Sequence, residues 1–290
     1  MRKKLIFPAI ALLGLLLLFN SCKKEYETIQ SIDEAKIQAY IKQNNLTMTK
    51  DPSGFYYQVL SQGGGAPLLN KDSVFYSLAI KSLSGTSYYN TATYSTEGTY
   101  LGYLSPEAYR IALTGVNRGG KVRVILPSYL AYGKNGTATV PSNEIILSEI
   151  TVSPSASMVD IDDKNINDFL TSKGLVAVKN PSRVYTIMNF VGTGDAISST
   201  ASTITVNYTG RLLNGTIFDQ NNGLTSQLNL LIPGWQKTLV GLKQGTKIRF
   251  FVPSDLAYGA TGSRNQTTGA YIVPPNAALD FDIEITGVTN

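Results

Sequence analysis

The chain contains no histidine, one cysteine and one tryptophan among 290 residues. Without histidine there is no imidazole to serve a nucleophilic serine or cysteine as base, and no histidine ligand for a metal. The single cysteine, Cys22, excludes an intramolecular disulfide. Charged residues make up only 16% of the chain. Arg2, Lys3 and Lys4 account for three of the five excess positive charges, and without them the excess falls to two. No lysine or arginine stripe appears elsewhere, so nucleic acid is not an expected partner. Plentiful instead are hydrophobic residues, at 43%, together with 26 glycines and 17 tyrosines. That composition suits β-rich structure with many turns, and the length allows two separate cores.

The first segment, MRKKLIFPAIALLGLLLLFNSC, places a basic start before an apolar run from Leu5 to Phe19. The run is short for a membrane span and reads as the core of a signal peptide. Ser21-Cys22 at its end resembles a bacterial lipobox. The resemblance implies cleavage before Cys22, diacylglycerol on its sulfur and acylation of the new N-terminus; two or more chains give stable anchoring. The charged stretch Lys23 to Glu27 is similar to surface-export signals of some outer-membrane lipoproteins. The expected location is the cell envelope, lipid-anchored at the outer membrane, with either membrane face open.

The remainder repeats itself. IDEAKIQAYIKQNNLTMTKDPSGFYY from Ile32 aligns with IDDKNINDFLTSKGLVAVKNPSRVYT from Ile161. Ile37 meets Ile166, Tyr40 meets Phe169 and Pro52 meets Pro181. LSGTSYYN aligns with LNGTIFDQ, and PSYLAYGKNG with PSDLAYGATG. A period of roughly 130 residues is a duplicated domain and not a solenoid. The expected organisation is a signal peptide over 1–21, a tether over 22–30, one domain over 31–152, a polar linker over 153–158 and a second domain over 159–290.

Each repeat opens on a short amphipathic helix, and Ser31-x-x-Glu34 reads as a capping box for the first. Strands are expected at Phe55–Leu60, Val74–Ile80 and Lys121–Leu126, and again at Val184–Phe190, Thr203–Tyr208 and Lys247–Val252. In LDFDIEI, Leu279, Phe281, Ile283 and Ile285 alternate with Asp280, Asp282 and Glu284, which the period-two rule sends to water. Asn214-Gly215 marks a hairpin turn. A second short helix is expected at Gln236–Leu242, and its counterpart should start with Ser105 as cap and Pro106 at the first helical position. The fold class is α+β, two antiparallel sheets each packed on a short helix.

The second repeat carries a set of unusual strings in order: VNYTGRLLNGTIFD, LIPGW, GLKQGTKIRFFVPSDLAYG and VPPNAALDFDIEI. Together they closely resemble the FKBP-type peptidyl-prolyl cis-trans isomerases, over nearly all of Thr203 to Val288. The resemblance implies two FKBP-like domains, each a twisted antiparallel sheet wrapped around a short helix and preceded by a short N-terminal helix. It implies a catalytic aromatic box that receives a proline. Trp235 would be its floor, with Tyr208, Phe218, Ile232 and Phe281 as walls. Tyr258 would offer a hydroxyl to the substrate carbonyl, and Asp219 would sit at the edge. Leu231, Ile232, Ile272 and Val273 would bind the peptide. No cofactor or metal is implied, because isomerisation twists an amide without making or breaking a bond.

The first repeat departs from this pattern. Leu78 stands for Tyr208, Tyr88 for Phe218, Tyr89 for Asp219, Tyr109 for Trp235 and Ser148 for Phe281; only Tyr132 matches Tyr258. In the second repeat, Leu224 stands near the place of an arginine common in the family, and the polar stretch Thr261–Tyr271 is long, reading as a mobile cover for the groove. Two functions fit. One is a lipid-anchored isomerase assisting the folding of exported, proline-containing polypeptides, with the second domain catalytic. The other is a non-catalytic interaction or accessory lipoprotein of an outer-membrane assembly. In either case Cys22→Ala should release the protein from membranes; cell fractionation at high salt checks this, and an unchanged membrane fraction would overturn the lipid anchor.

Overall fold

A computed structural model describes residues 27–290; Cys22 and the segment read as a signal peptide lie outside them. The first unit opens with helix α1 (Ile29–Gln43) and continues through strands β1 (Thr49–Lys50), β2 (Tyr56–Ser61), β3 (Gly64–Pro67), β4 (Ser73–Ser82), β5 (Ser87–Asn90) and β6 (Glu97–Tyr100). Helix α2 (Glu107–Leu113) precedes β7 (Asn117–Arg118), β8 (Lys121–Leu126) and β9 (Ile146–Val152). The main sheet runs β1-β2-β8-β9-β4-β5, with β6 also on β4, and every pair is antiparallel.

The second unit repeats the plan. Helix α3 (Met158–Ser172) leads into β10 (Val178–Lys179), β11 (Tyr185–Phe190), β12 (Thr203–Leu212) and β13 (Ile217–Gln227). Helix α4 (Pro233–Leu239), β14 (Lys247–Val252), the ribbon β15 (Ser263–Arg264) and β16 (Tyr271–Val273), and β17 (Leu279–Thr289) complete it. The sheet order is β10-β11-β14-β17-β12-β13. The fold is α+β in both units, as the strand and helix patterns indicate. Among the described residues no helix is long and apolar enough to cross a membrane.

Each sheet is covered on both faces. The short helix packs on one: Trp235 and Leu239 of α4 join Val206, Phe250, Leu279 and Phe281 in a single buried cluster. The N-terminal helix of the unit packs on the other: Ile166 and Phe169 of α3 meet Tyr185, Phe251 and Ala278. This second cover corrects the reading of LDFDIEI. Asp280 lies across from Phe251 on the face that α3 covers, and is 2% exposed. It is held there by a two-pronged pair with Arg249, at 2.9 and 2.7 Å.

Helix starts differ from the local signals in three places. Thr28 caps α1 by accepting from the Ser31 N–H, so Ser31 already lies within the helix. Glu34, freed from a capping role, accepts from the Tyr56 hydroxyl at 2.6 Å and pairs with Lys50 at 2.9 Å. Pro106 itself takes the cap position of α2, displacing Ser105. Helix α4 starts at Pro233, three residues before the sequence expectation, because proline's fixed φ and missing N–H suit a first helical position.

The linker is tied down at both ends. Ser153 N–H donates to Phe75 O at 2.7 Å, and Ser157 caps α3 through the Asp160 N–H at 3.4 Å. The units also touch directly. Where the second unit has the single strand β13, the first has β5 and β6 with a loop between them. That loop carries Tyr94, whose ring meets Phe169 edge-on at 5.6 Å and whose hydroxyl donates to Ser172 at 2.9 Å.

One polar clasp appears twice. Asp33 Oδ2 accepts from the N–H and Oγ–H of Ser128 at 2.8 and 2.7 Å, and Asp162 Oδ2 accepts from those of Ser254 at the same distances. Both aspartates are fully buried. Burial pushes the Asp162 carboxyl up to about 7, against the Ser254 hydrogen bonds, which favour the charged form. From about pH 4 to pH 7 the unfolded chain has therefore lost a proton that the folded one keeps. Stability should fall by up to about 1.4 kcal/mol per pH unit across that window and level off above it. Asp162→Asn, which retains an oxygen acceptor, should lack this slope and gain on the wild type as pH rises from 5 to 8; urea unfolding at both values checks it.

Candidate functional site

In the second unit the two sheet strands β12 and β17, the start of β13 and helix α4 converge on one small cavity of about 70 Å³. Register brings the parts together. Tyr208 projects from the middle of β12, and two residues on, Gly210 faces Phe281 across one ladder and Asp219 across the other. The Asn214-Gly215 turn closes the β12–β13 hairpin, with Gly215 at φ +92°. This is how Phe218 and Asp219 arrive beside Tyr208: the hairpin folds them back onto the strand they left.

The rings pack edge to face. Trp235, 3% exposed, has Tyr208 at 5.2 Å and 84° and Phe281 at 5.3 Å and 88°. Phe218 stands against Phe281 at 5.7 Å and 85°, and against Tyr258 at 6.5 Å and 88°. Such T-shaped pairs set positive ring edges against negative faces and hold each ring's tilt. Phe250, which the motif strings did not single out, backs the group by stacking on Phe281 at 5.6 Å. Its signal was available in the alternation of β14, which turns Ile248, Phe250 and Val252 to this core.

Gly210 is the other residue that sequence reasoning passed over. A methyl there would lie 2.7 Å from Phe218 Cζ and 2.8 Å from Phe281 Cε1, so the two rings meet only because this position has no side chain.

The polar groups lie at the mouth. The Tyr208 hydroxyl donates to Asp219 Oδ2 at 2.6 Å. Burial and then the Asp219 carboxylate hold the Tyr208 phenol well above its ordinary range, so it stays a donor. Tyr258 is raised by the same two causes in the same order. The indole N–H of Trp235 is buried and has no acceptor among the described residues.

Of the residues singled out in the sequence, Tyr208, Phe218, Asp219, Leu231, Ile232, Trp235, Tyr258 and Phe281 line the cavity, joined by Leu224. Ile272 and Val273 do not. The β15–β16 ribbon turns alternate side chains opposite ways, sending Val273 into the core at 1% exposure and leaving Ile272 at 40%. That ribbon begins within the long polar stretch read as a mobile cover and closes it, with the Arg264 guanidinium 3.5 Å from the centre of the Tyr271 ring.

Residues 194–286 match the family model described as FKBP-type peptidyl-prolyl cis-trans isomerase. A macrophage infectivity potentiator of Trypanosoma cruzi is 35% identical over 116 residues, covering 39% of this chain and 56% of the relative. A probable FKBP-type peptidyl-prolyl cis-trans isomerase of Haemophilus influenzae is 42% identical over 101 residues, covering 33% and 39%. FKBP-type peptidyl-prolyl cis-trans isomerase FkpA of Escherichia coli is 35% identical over 124 residues, covering 41% and 42%. The chain spans about half the length of these relatives, or less.

Gly210→Ala should push Phe218 and Phe281 apart, costing about 1–3 kcal/mol of stability as overpacking does. Urea unfolding measures the cost. A variant as stable as the wild type would show that the rings have slack to yield.

Proposed function

We propose that the second unit, an FKBP-type domain, is a peptidyl-prolyl cis-trans isomerase acting on proline-containing segments of exported polypeptides. In this reading the chain is held at the cell envelope, at the outer membrane, by lipid on Cys22. The single observation that carries the activity is the cavity walled by Tyr208, Phe218, Trp235 and Phe281, with Asp219 and Tyr258 at its mouth.

The chemistry suits such a site. The barrier to rotation about a peptide bond is about 18–20 kcal/mol and comes from amide resonance. Resonance places negative charge on the carbonyl oxygen, and the twisted amide has less charge separation than the planar one. Apolar rings around it therefore favour the twisted state over the ground state, which is what acceleration requires. Trp235 provides a floor for the pyrrolidine ring, and Leu231 and Ile232 flank it. The Tyr258 hydroxyl makes no hydrogen bond within the described residues and is free to donate to the substrate carbonyl. Asp219 holds the Tyr208 hydroxyl, and with it the tilt of the ring against Trp235. No proton is transferred, so the missing histidine is no handicap.

The first unit is assigned no catalysis. Tyr109 donates to or accepts from Ser148 at 2.6 Å in the place of the Trp235–Phe281 contact, so the floor is polar.

The test is a protease-coupled proline-peptide assay on the purified protein and three variants. Tyr258→Phe should keep stability and lose a few-fold to about tenfold in kcat/KM, the worth of one hydrogen bond of about 0.5–1.5 kcal/mol. Asp219→Asn and Trp235→Phe should also lower turnover while remaining folded by circular dichroism. Wild-type activity unchanged in all three would remove the site, and an inactive wild type would favour the accessory, interaction-only function.

A further inference from the structure

The first unit holds a larger cavity at the place equivalent to the second unit's pocket, about 320 Å³ against about 70 Å³. Strand register explains how its chemistry differs. In β12, Val206 lies across from Leu224; in β4, the equivalent Tyr76 lies across from Glu97. An apolar lining residue of the second unit is thus a carboxylate in the first. The other carboxylate position, Asp219, is Tyr89, across from Ile80 as Asp219 is across from Gly210.

Glu97 is half-buried and surrounded by tyrosine. Tyr89 donates its hydroxyl to Glu97 Oε1, and Thr91 donates to the same oxygen at 3.3 Å. Oε2 receives no hydrogen bond from the described residues. Tyr76 and Tyr132 add ring surface to the same cavity, and Leu78 and Val140 give it apolar wall. No lysine or arginine lines the cavity, and Glu97 is in no ion pair among the described residues, whereas most of the unit's acidic side chains on sheet and helix surfaces have a cationic partner. The field of this carboxylate reaches its neighbours: burial and then Glu97 push Tyr76 up to about 12. Glu144 acts in the same sense on Tyr88, after burial.

We propose that this cavity binds the arginine or lysine side chain of an extended polypeptide, with the aliphatic stem on Leu78 and Val140 and the cation between Glu97 and the tyrosine rings. Ring faces attract a cation, and a partly desolvated carboxylate with a free oxygen supplies the opposite charge. The apolar wall accommodates the stem as it would a long side chain that keeps its head group on polar atoms. The site is independent of isomerase activity in the second unit.

The test uses the purified protein and two proline-free peptides, acetyl-Ala-Arg-Ala-amide and its citrulline counterpart, which matches the shape without the charge. Titration followed by the tyrosine signals in NMR should show the arginine peptide binding about tenfold tighter. Glu97→Gln should abolish that preference. Tyr132→Leu, at a position 40% exposed and therefore tolerant of change, should weaken arginine binding several-fold while thermal unfolding stays at the wild-type temperature. Equal binding of the two peptides, no binding of either at millimolar concentration, or an arginine preference that survives Glu97→Gln would each overturn the proposal. Free n-propylguanidinium binding as tightly as the peptide would overturn the assignment to a polypeptide. Loss of proline-peptide turnover in the second unit would leave every one of these readings unchanged.

Discussion

The pocket of the second unit hangs on one contact, the Trp235 indole packed perpendicular to both Tyr208 and Phe281. It joins helix α4 to two adjacent sheet strands. If the indole tilted, Tyr208 would lose its ring neighbour and Phe281 would lose one of the rings that fix it. Because each ring is buried on one side and turned edge-on to the next, the group behaves as a close-packed unit in which a shift at one member is felt by all. Gly210 is the concession the strand makes to it, giving up a side chain so that Phe218 can close the far wall.

The first unit shows what the same backbone does when that contact is absent. Strand pairing keeps the equivalent positions in register, Ile80 across from Ser148 where Gly210 is across from Phe281. Bulk has moved from one strand to the other. Ile80 fills the space that glycine leaves open, and Ser148 opens the space that phenylalanine fills. Tyr109 then reaches Ser148 with its hydroxyl, satisfying both polar groups inside the core. The scaffold tolerates the exchange because its stability rests on the sheet and on the two helices that cover it, and the pocket is a by-product of which side chains meet between them.

The helices that open each unit have a positioning role as well as a covering one. Through Asp33 and Asp162 they grip Ser128 and Ser254, each four residues before the tyrosine of its unit, Tyr132 or Tyr258. A buried carboxylate with one oxygen unpartnered is costly, yet the clasp appears in both units with the same geometry. It anchors the loop that carries the rim tyrosine to an element on the opposite face of the sheet. The rim is thereby set by the body of the domain, and Tyr94 of the first unit extends that body by packing onto the second unit's helix beside Phe169.

Much of this was legible in the sequence. Period-two alternation marked the strands, the internal repeat marked two units, and Asn214-Gly215 marked the hairpin, because each is a local property of backbone and side-chain direction. The order of unusual strings gathered most of the ring residues at one site. Other features needed the tertiary structure. Alternation sent Asp280 to water, but the helix Met158–Ser172 covers that face, and only packing decides whether a sheet has one dry side or two. Val273 was expected to bind the peptide and is buried in the core, because the two-stranded ribbon it ends sets which way it turns. Gly210 and Ile80 could not be weighed from sequence, since a side chain's room is fixed by what stands across the ladder. The sequence by itself determined the elements, the repeat and the inventory of rings. The tertiary structure decided which cavity those rings close, and where a carboxylate stands in each, because those are distances between residues far apart in the chain.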